Sequence, residues 1–448
     1  MKKRIISLLL CTVMMLSMLA ACGSNKEAEK APAEKTEAST EVSKEETTKA
    51  PAEQVLRVST IPGKTAQVLA HYAEGFKAKN PGVEIEIVEF EETAYQAQGI
   101  QILSSKENDL DIAWYYRTHF WDEFVDGGIY EPLTDVYEQE NLVKGYGGDS
   151  VADMFKKGDD YYALLLSTVW VSNIYYNMDI MNQNGWTIPT TWDEFVTLCE
   201  NAKSIGLVPM ATPAKDSFSE NVLMMASMAA IPDDKYSILF EPGQKDVRYD
   251  DKSWLETMEL LKWYADNVFQ EGVAAADSST ARSLFLQGGS LMFTDGSWAI
   301  NAIRKDNPAF EVGYSMLPDY NKDIPMKVAT YPGNILAVLS HSDQKELAKQ
   351  FVAYCGSVEG QSSIVAAGLD TPARGDIDEE SKTNMDPILA QMYSDIDNAG
   401  AKIFHNFLLD MEFNNKLYMI VNGVLAGTYT PEQACEELQA AYEGAYGG

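Results

Sequence analysis

From residue 55 onward, short β-branched runs take turns with stretches of helical spacing. Val55–Ile61 (VLRVSTI) reads as a strand. Thr65–Lys79 carries Val68, Leu69, Tyr72 and Phe76 at i, i+1, i+4 and i+8, one face of a helix that breaks at Asn80-Pro81-Gly82. Val83–Phe90 (VEIEIVEF) alternates as a half-buried strand does; Ala94–Ser104 suits a further helix and Leu110–Trp114 a third strand. This alternation predicts an α/β fold with a parallel sheet, in which ligands sit beyond the carboxyl ends of the strands. The pocket is therefore expected in the loops after Thr60 and after Ala113.

Helix starts are marked by capping boxes. Thr191–Glu194, Ser253–Glu256 and Thr430–Gln433 each place a hydroxyl at an N-cap and Glu or Gln three residues later. Asp193 and Glu194 are accordingly read as helix-start residues rather than a catalytic carboxylate pair. From Ser253 to Val268, Trp254, Met258, Leu261, Ala265 and Val268 share a face with core spacing.

The segment ahead of the body has another character. Lys2, Lys3 and Arg4 precede an apolar run, Ile5–Leu19, too short for a stable membrane span, so residues 1–21 read as an export signal. The signal closes on Leu19-Ala20-Ala21-Cys22, which resembles the lipobox of bacterial lipoproteins; Cys22 would carry two acyl chains, enough for stable attachment. Gly23–Glu53, rich in Ala, Glu, Lys, Thr, Ser and Pro, has Val42 as its only sizeable apolar residue and cannot offset the entropy of ordering. Residues 22–53 are thus expected to form a lipidated Cys and a disordered tether, with a coil dimension of roughly 30 Å.

The 448 residues are 46% hydrophobic and 10% aromatic, enough for one large or two medium cores. Lys and Arg number 35 against 67 Asp and Glu, a formal charge of −32, which argues against nucleic acid or an anionic membrane surface as a partner. The 5 cysteines include no CxxC pair and the 4 histidines no metal-ligand spacing, so neither metal nor cofactor is expected. Cys199, Cys355 and Cys435 in the body are expected reduced and buried, Cys199 and Cys435 being the two whose predicted helices would allow a pair.

A family resemblance rests on pieces that follow one another in order: Phe76–Val83 (FKAKNPGV), Asp111-Ile112, Gly128–Thr134 (GIYEPLT), Tyr175–Asp179 (YYNMD), Pro189–Phe195 (PTTWDEF), Gly296-Ser297-Trp298 and Glu346–Phe351 (ELAKQF). Together, behind a lipobox and tether, they resemble the family 1 extracellular solute-binding proteins, the sugar-binding lipoproteins of ABC importers, with the maltose-binding protein a distant relative. The similarity runs from about Val55 to Ala441. It implies two α/β lobes joined by hinge strands, as in the periplasmic binding proteins, with a ligand cleft between them. Lobe one would comprise residues 54–165 with 314–340, and lobe two 166–313 with 341–448. The implied partners are a small solute and the permease subunits of an ABC transporter; the protein would be a lipid-anchored monomer at the outer face of the bacterial cell membrane, and not an enzyme.

A sugar offers apolar C–H faces and a rim of hydroxyls, so its site needs aromatic platforms beside polar acceptors and donors. Beyond Thr60, the segment after the third strand, Trp114–His119, supplies Tyr115, Tyr116 and Thr118; Tyr115 and Tyr116 point to opposite faces if extended, so one of them is expected to reach the cleft. Trp114 itself reads as core. The resemblance adds Trp170 in a hinge-side loop, Asp295 as a hydroxyl acceptor and Trp298 as the stacking ring. It also adds Tyr331 and Asn334 in a loop entering from lobe one, Asn414 near Asp410, and Arg374. Two departures stand out: Tyr162–Leu166 lacks the proline many relatives carry before the hinge, and Ile61-Pro62-Gly63-Lys64 replaces small polar residues. A non-sugar solute such as a polyamine, held by carboxylates around the same rings, stays open as an alternative. A glycoside hydrolase would need two carboxylates about 5 to 9.5 Å apart, and no catalytic motif supports one.

Overall fold

The computed structural model describes residues 54–446, apart from 119, 172, 216–217, 234, 236–246, 307, 332 and 404–408. The expected signal, Cys22 and tether lie outside the described residues. The principal elements of the first half are β1 (Gln54–Thr60), α1 (Lys64–Lys79), β2 (Val83–Glu89), β3 (Ile112–Tyr116), β4 (Leu164–Leu165), β5 (Val169–Val171), β6 (Asn173–Asn177), α2 (Trp192–Ser204), β7 (Val208–Ala211) and α3 (Ser219–Ala230). There follow α4 (Lys252–Asn267), β8 (Ser290–Asp295), α5 (Ala299–Lys305), β9 (Val312–Ser315), β10 (Val328–Tyr331), β11 (Asn334–Val338), α6 (Lys345–Gly356), α7 (Val358–Ala366), α8 (Pro387–Ala399), β12 (Ala401–Ile403), α9 (Met411–Leu425) and α10 (Pro431–Tyr446).

One sheet has the order β2-β1-β3-β11-β4, with β1 parallel to β2 and β3, and β11 antiparallel to β3 and β4. Its core includes Leu56, Val58, Leu69, Tyr72, Phe76, Ile112 and Leu336. A second sheet, β9-β6-β8-β7, packs on a core that includes Ile174, Phe195, Met210, Trp254, Leu261 and Met292. Each hydrophobic face noted along the chain is thus covered, which is what makes two separate lobes.

A three-stranded sheet, β12-β10-β5, packs Trp170, Val171, Val328 and Ala329 into the second-lobe cores. The chain passes from β4 to β5 through Leu166–Thr168, β10 is followed in sequence by β11, and residues 367–386 lead from α7 to α8. The first two crossings hold each other: Leu166 N–H donates to the Asn334 carbonyl at 2.8 Å.

Several expectations need correction. Helices α6 and α7 bury Phe351, Val352, Cys355 and Ile364 in the first core, whereas β9 pairs with β6 in the second sheet. Lobe one therefore takes residues 334–377 instead of 314–340, and lobe two begins again at α8. The helix expected at Ala94–Ser104 is two pieces, Glu92–Ala97 and Gly99–Ser104. Gly99 sits at the break, where a β-carbon would meet the Tyr115 hydroxyl at 2.2 Å. Thr191 and Thr430 form the expected capping boxes, but α4 is capped by Asp251, which accepts from Trp254 N, rather than by Ser253.

Candidate functional site

The carboxyl edge of the first sheet is built by short loops. Thr60 is buried, its hydroxyl turned to Ile61 O at 3.4 Å and Thr65 Oγ1 at 3.2 Å. Gly63 then turns the chain into α1 with φ of 99°, a conformation that favours glycine. In β3, Tyr115 belongs to the core: it is fully buried and its hydroxyl donates to the carbonyls of Tyr95 and Gln96 at 3.2 and 3.0 Å. Tyr115 is therefore corrected from cleft to core, because the pleat sends it to the helix-covered face. Tyr116, on the opposite face, is half-buried, edge-on to Trp114 at 4.8 Å, with its hydroxyl 3.2 Å from Glu92 Oε1. Thr118 is buried and accepts from Phe120 N at 3.3 Å.

At the hinge, Asn334 Nδ2 donates to Ser167 Oγ at 3.2 Å, tying the two crossing strands. Trp170 is fully buried in a second-lobe core, with Tyr393 edge-on at 4.5 Å, so the ring is a structural wedge in this conformation and not an open platform. Its backbone serves the adjacent turn: Trp170 O accepts Ser297 N at 2.7 Å. Tyr331 pairs with Val169 in the hinge sheet, and its side chain lies outside the described part.

That turn, Asp295-Gly296-Ser297-Trp298, ends β8. The Asp295 carboxylate accepts Gly296 N at 2.8 Å on Oδ1 and Ser278 Oγ at 2.7 Å on Oδ2. Burial pushes this acid up to about 6 in spite of those bonds. Asp295 is 1% exposed and both its oxygens bond within this turn and to α-helical Ser278, so here it holds the turn together instead of facing a solute as the expected hydroxyl acceptor. Trp298 is half-buried and caps α5, folded back over Gly296. Gly296 is needed here for close approach, not for a left-handed backbone.

Two expected contacts sit elsewhere. Arg374 is 3% exposed and wholly engaged inside lobe one, with Nε and Nη2 on the Asp376 carboxylate at 2.6 and 3.0 Å and Nη1 on Gly356 O at 2.7 Å. It is a structural clasp between α6 and the following crossing. Asn414 on α9 donates to Tyr418 Oη at 2.9 Å, and Tyr418 donates to Glu220 Oε2 at 2.7 Å. Burial raises the Glu220 carboxyl to about 8. Glu220 begins α3 after the carboxyl end of β7, which runs parallel to β8, so this network lies on the same edge of the second sheet as Asp295.

Sequence reasoning missed Lys64, Asp370, Asn301 and Glu220. Lys64 Nζ meets Asp370 Oδ1 at 2.6 Å, and Asn301 on α5 donates to Leu369 O at 3.2 Å, one lobe reaching the crossing that leaves the other. Nothing in the sequence links residues 64 and 370. Glu220 left a trace: it is the one charged residue in the largely apolar run ENVLMMASMAA. A cavity of about 360 Å3 lies between the end of α7 at Val365 and Ala366, the crossing at Ala367–Pro372, and Asn301 of α5. Among the described residues no cluster has the donors to hold a metal ion, and no helix is long and apolar enough to cross a membrane.

A family model described as "Bacterial extracellular solute-binding protein" matches residues 71–391. The chain belongs to that family of bacterial extracellular solute-binding proteins. This solute-binding protein is 24% identical over 327 residues to the multiple sugar-binding protein of Streptococcus mutans, covering 71% of this chain and 75% of that one. It is 28% identical over 263 residues to the maltotriose-binding protein of Pyrococcus abyssi, covering 57% and 52%. Among solved structures, a chitin oligosaccharide binding protein superposes with a TM-score of 0.73 at 20% identity, covering 88% of this chain and 99% of that one. RafE in complex with raffinose gives 0.67 at 19%, covering 88% and 99%. The shared fold is the two-lobed one described above. The proteins it resembles are binding proteins.

Proposed function

We propose that this protein captures a sugar or oligosaccharide between its lobes and delivers it, without chemical change, to the permease of an ABC importer. The observation that carries the reading is the half-buried Trp298 ring, folded over Gly296 in the turn at the carboxyl end of β8. An indole face fixed in this way suits the C–H face of a sugar. Relatives named for multiple sugars and maltotriose support the same class. Solute contacts in both lobes would favour the closed state, so occupancy becomes a shape a permease can read. A polyamine would need ionised carboxylates near the ring. Burial pushes Glu220 up to about 8, which takes that acid out of such a site at neutral pH; Asp295, at about 6, is the carboxylate a polyamine would have to use, and it is 1% exposed.

The reading extends to a diacylated Cys22 anchoring the protein, as a monomer, to the outer face of the cell membrane. Cys22→Ser should abolish lipid labelling and release the chain; retention at the membrane would refute the anchor. The first test of function is a thermal-shift screen of the soluble chain from residue 22 with Cys22→Ser against mono- and oligosaccharides, polyamines and amino acids. A ligand bound only by the native state raises the melting temperature by mass action. A shift confined to one sugar class is expected, and a shift with polyamines alone would overturn the saccharide reading.

A further inference from the structure

Arg57, Arg248, Arg282, Arg304 and Arg374 each grip a carboxylate. Among the described residues Arg117 is the one arginine that forms no ion pair, in a chain with 67 Asp and Glu against 35 Lys and Arg. It is also half-buried. The loss of water around it outweighs the pull of Asp122 and pushes its guanidinium down to about 10. Asp122 itself gives Oδ1 to Lys157 Nζ at 2.7 Å. A charge withdrawn from water is paired in a finished core. One left without an anion, where acids are so plentiful, marks a place whose partner arrives from outside.

The guanidinium is held ready for such a partner. Nε donates to Met154 O at 2.8 Å, and Cζ lies over the Trp121 ring, 4.5 Å from its centre. Trp121 is 5% exposed and fixed edge-on by Tyr130 and Phe155, at 6.3 and 6.4 Å. With Nε tied and the cation resting on a rigid indole, the two η nitrogens have no hydrogen-bond partner among the described residues and form a planar fork. That fork matches the two oxygens of a carboxylate, in charge as well as in shape. A neutral hydroxyl would meet a single N–H and leave the charge uncompensated. The place is also one where an α/β sheet takes ligands. Arg117 directly follows β3, one residue past Tyr116, which pairs with Asn334 at the start of β11. Asn334 is the residue that holds Ser167 and Leu166 at the hinge.

We propose that Arg117 receives the carboxylate of an acidic sugar, and that the solute is therefore a saccharide containing a hexuronic acid. The proposal rests on the saccharide reading above. Calorimetric titration of the soluble Cys22→Ser chain at neutral pH, where a uronate is ionised, tests it with matched pairs: glucose and glucuronate, galactose and galacturonate, and short oligomers of each. In one pair the acidic member should bind at least about tenfold more tightly than the neutral one. Arg117→Gln, checked for native circular dichroism, should bring the two members of that pair within about twofold of each other. Arg117→Lys, which keeps the charge but not the fork, should restore part of the preference. Neutral members that bind as tightly as acidic ones, or more tightly, overturn the proposal and leave the saccharide reading standing; this comparison needs only the native chain. A preference for the acidic member that survives in folded Arg117→Gln overturns the assignment to Arg117. Binding of no saccharide of either kind overturns both readings.

Discussion

Gly296 lies directly beneath the ring of Trp298: a β-carbon at position 296 would fall 2.0 Å from Cζ3 and 2.2 Å from Cη2 of the indole. Any side chain there must displace the ring. Gly296→Ala and Trp298→Ala are therefore both expected to weaken solute binding by at least about 1 kcal/mol, the scale of a lost aromatic contact. Titration calorimetry on variants with unchanged far-ultraviolet circular dichroism checks this. Native affinity in both folded variants would remove Trp298 from the site.

Arg374 makes the opposite prediction. Its bonds to Asp376, Gly356 and Glu140 all lie within lobe one and its crossing, so Arg374→Ala should cost about 2 kcal/mol of stability. The affinity of the folded fraction should not change. Urea denaturation combined with titration separates the two, and a stable variant that binds poorly would return Arg374 to the cleft.

Glu220 predicts a pH dependence with a definite sign. Its acid is raised from 4.5 to about 8 on folding, chiefly by burial, so the native state holds the proton more tightly than the unfolded chain. This group's contribution is full below 4.5 and is lost as pH climbs to about 8, at no more than about 1.4 kcal/mol per pH unit. Asp295 acts with the same sign over a lower window, from 3.8 to about 6. Urea midpoints across these windows should fall more steeply for the native chain than for Glu220→Gln. Parallel curves would show that Glu220 is not buried as described.

The thiols give a fourth test. Cys199, Cys355 and Cys435 are free and buried, and burial pushes Cys199 and Cys435 up to about 12. A thiol reagent should find no fast-reacting group in the native Cys22→Ser chain and all three after denaturation, because only the thiolate attacks. Immediate reaction of any one in the native protein would contradict its placement.

How far each feature could be read from the chain follows the range of the interaction behind it. The strands β1 and β2, helix α1 and the Thr191 and Thr430 caps are local, set by residues within about one turn or one pleat of each other, and they stand where periodicity and capping chemistry put them. Helix α4 shows the limit of even local reasoning: Asp251, two residues ahead of the expected Ser253, competes for the cap and wins with its stronger acceptor.

The sequence by itself determined the α/β alternation, the two cores' worth of apolar residues and the order of motifs that marks the family. Tertiary structure decided which lobe α6 and α7 join, which of Tyr115 and Tyr116 turns inward, that Trp170 is buried, and that Asp295 bonds Ser278 and Gly296 N. It also joined Lys64 to Asp370 and Asn301 to Leu369. The reason is physical: a side chain's role depends on which face is covered and on which donors and acceptors across the hinge are already taken. Those partners lie hundreds of residues apart, where no spacing rule reaches.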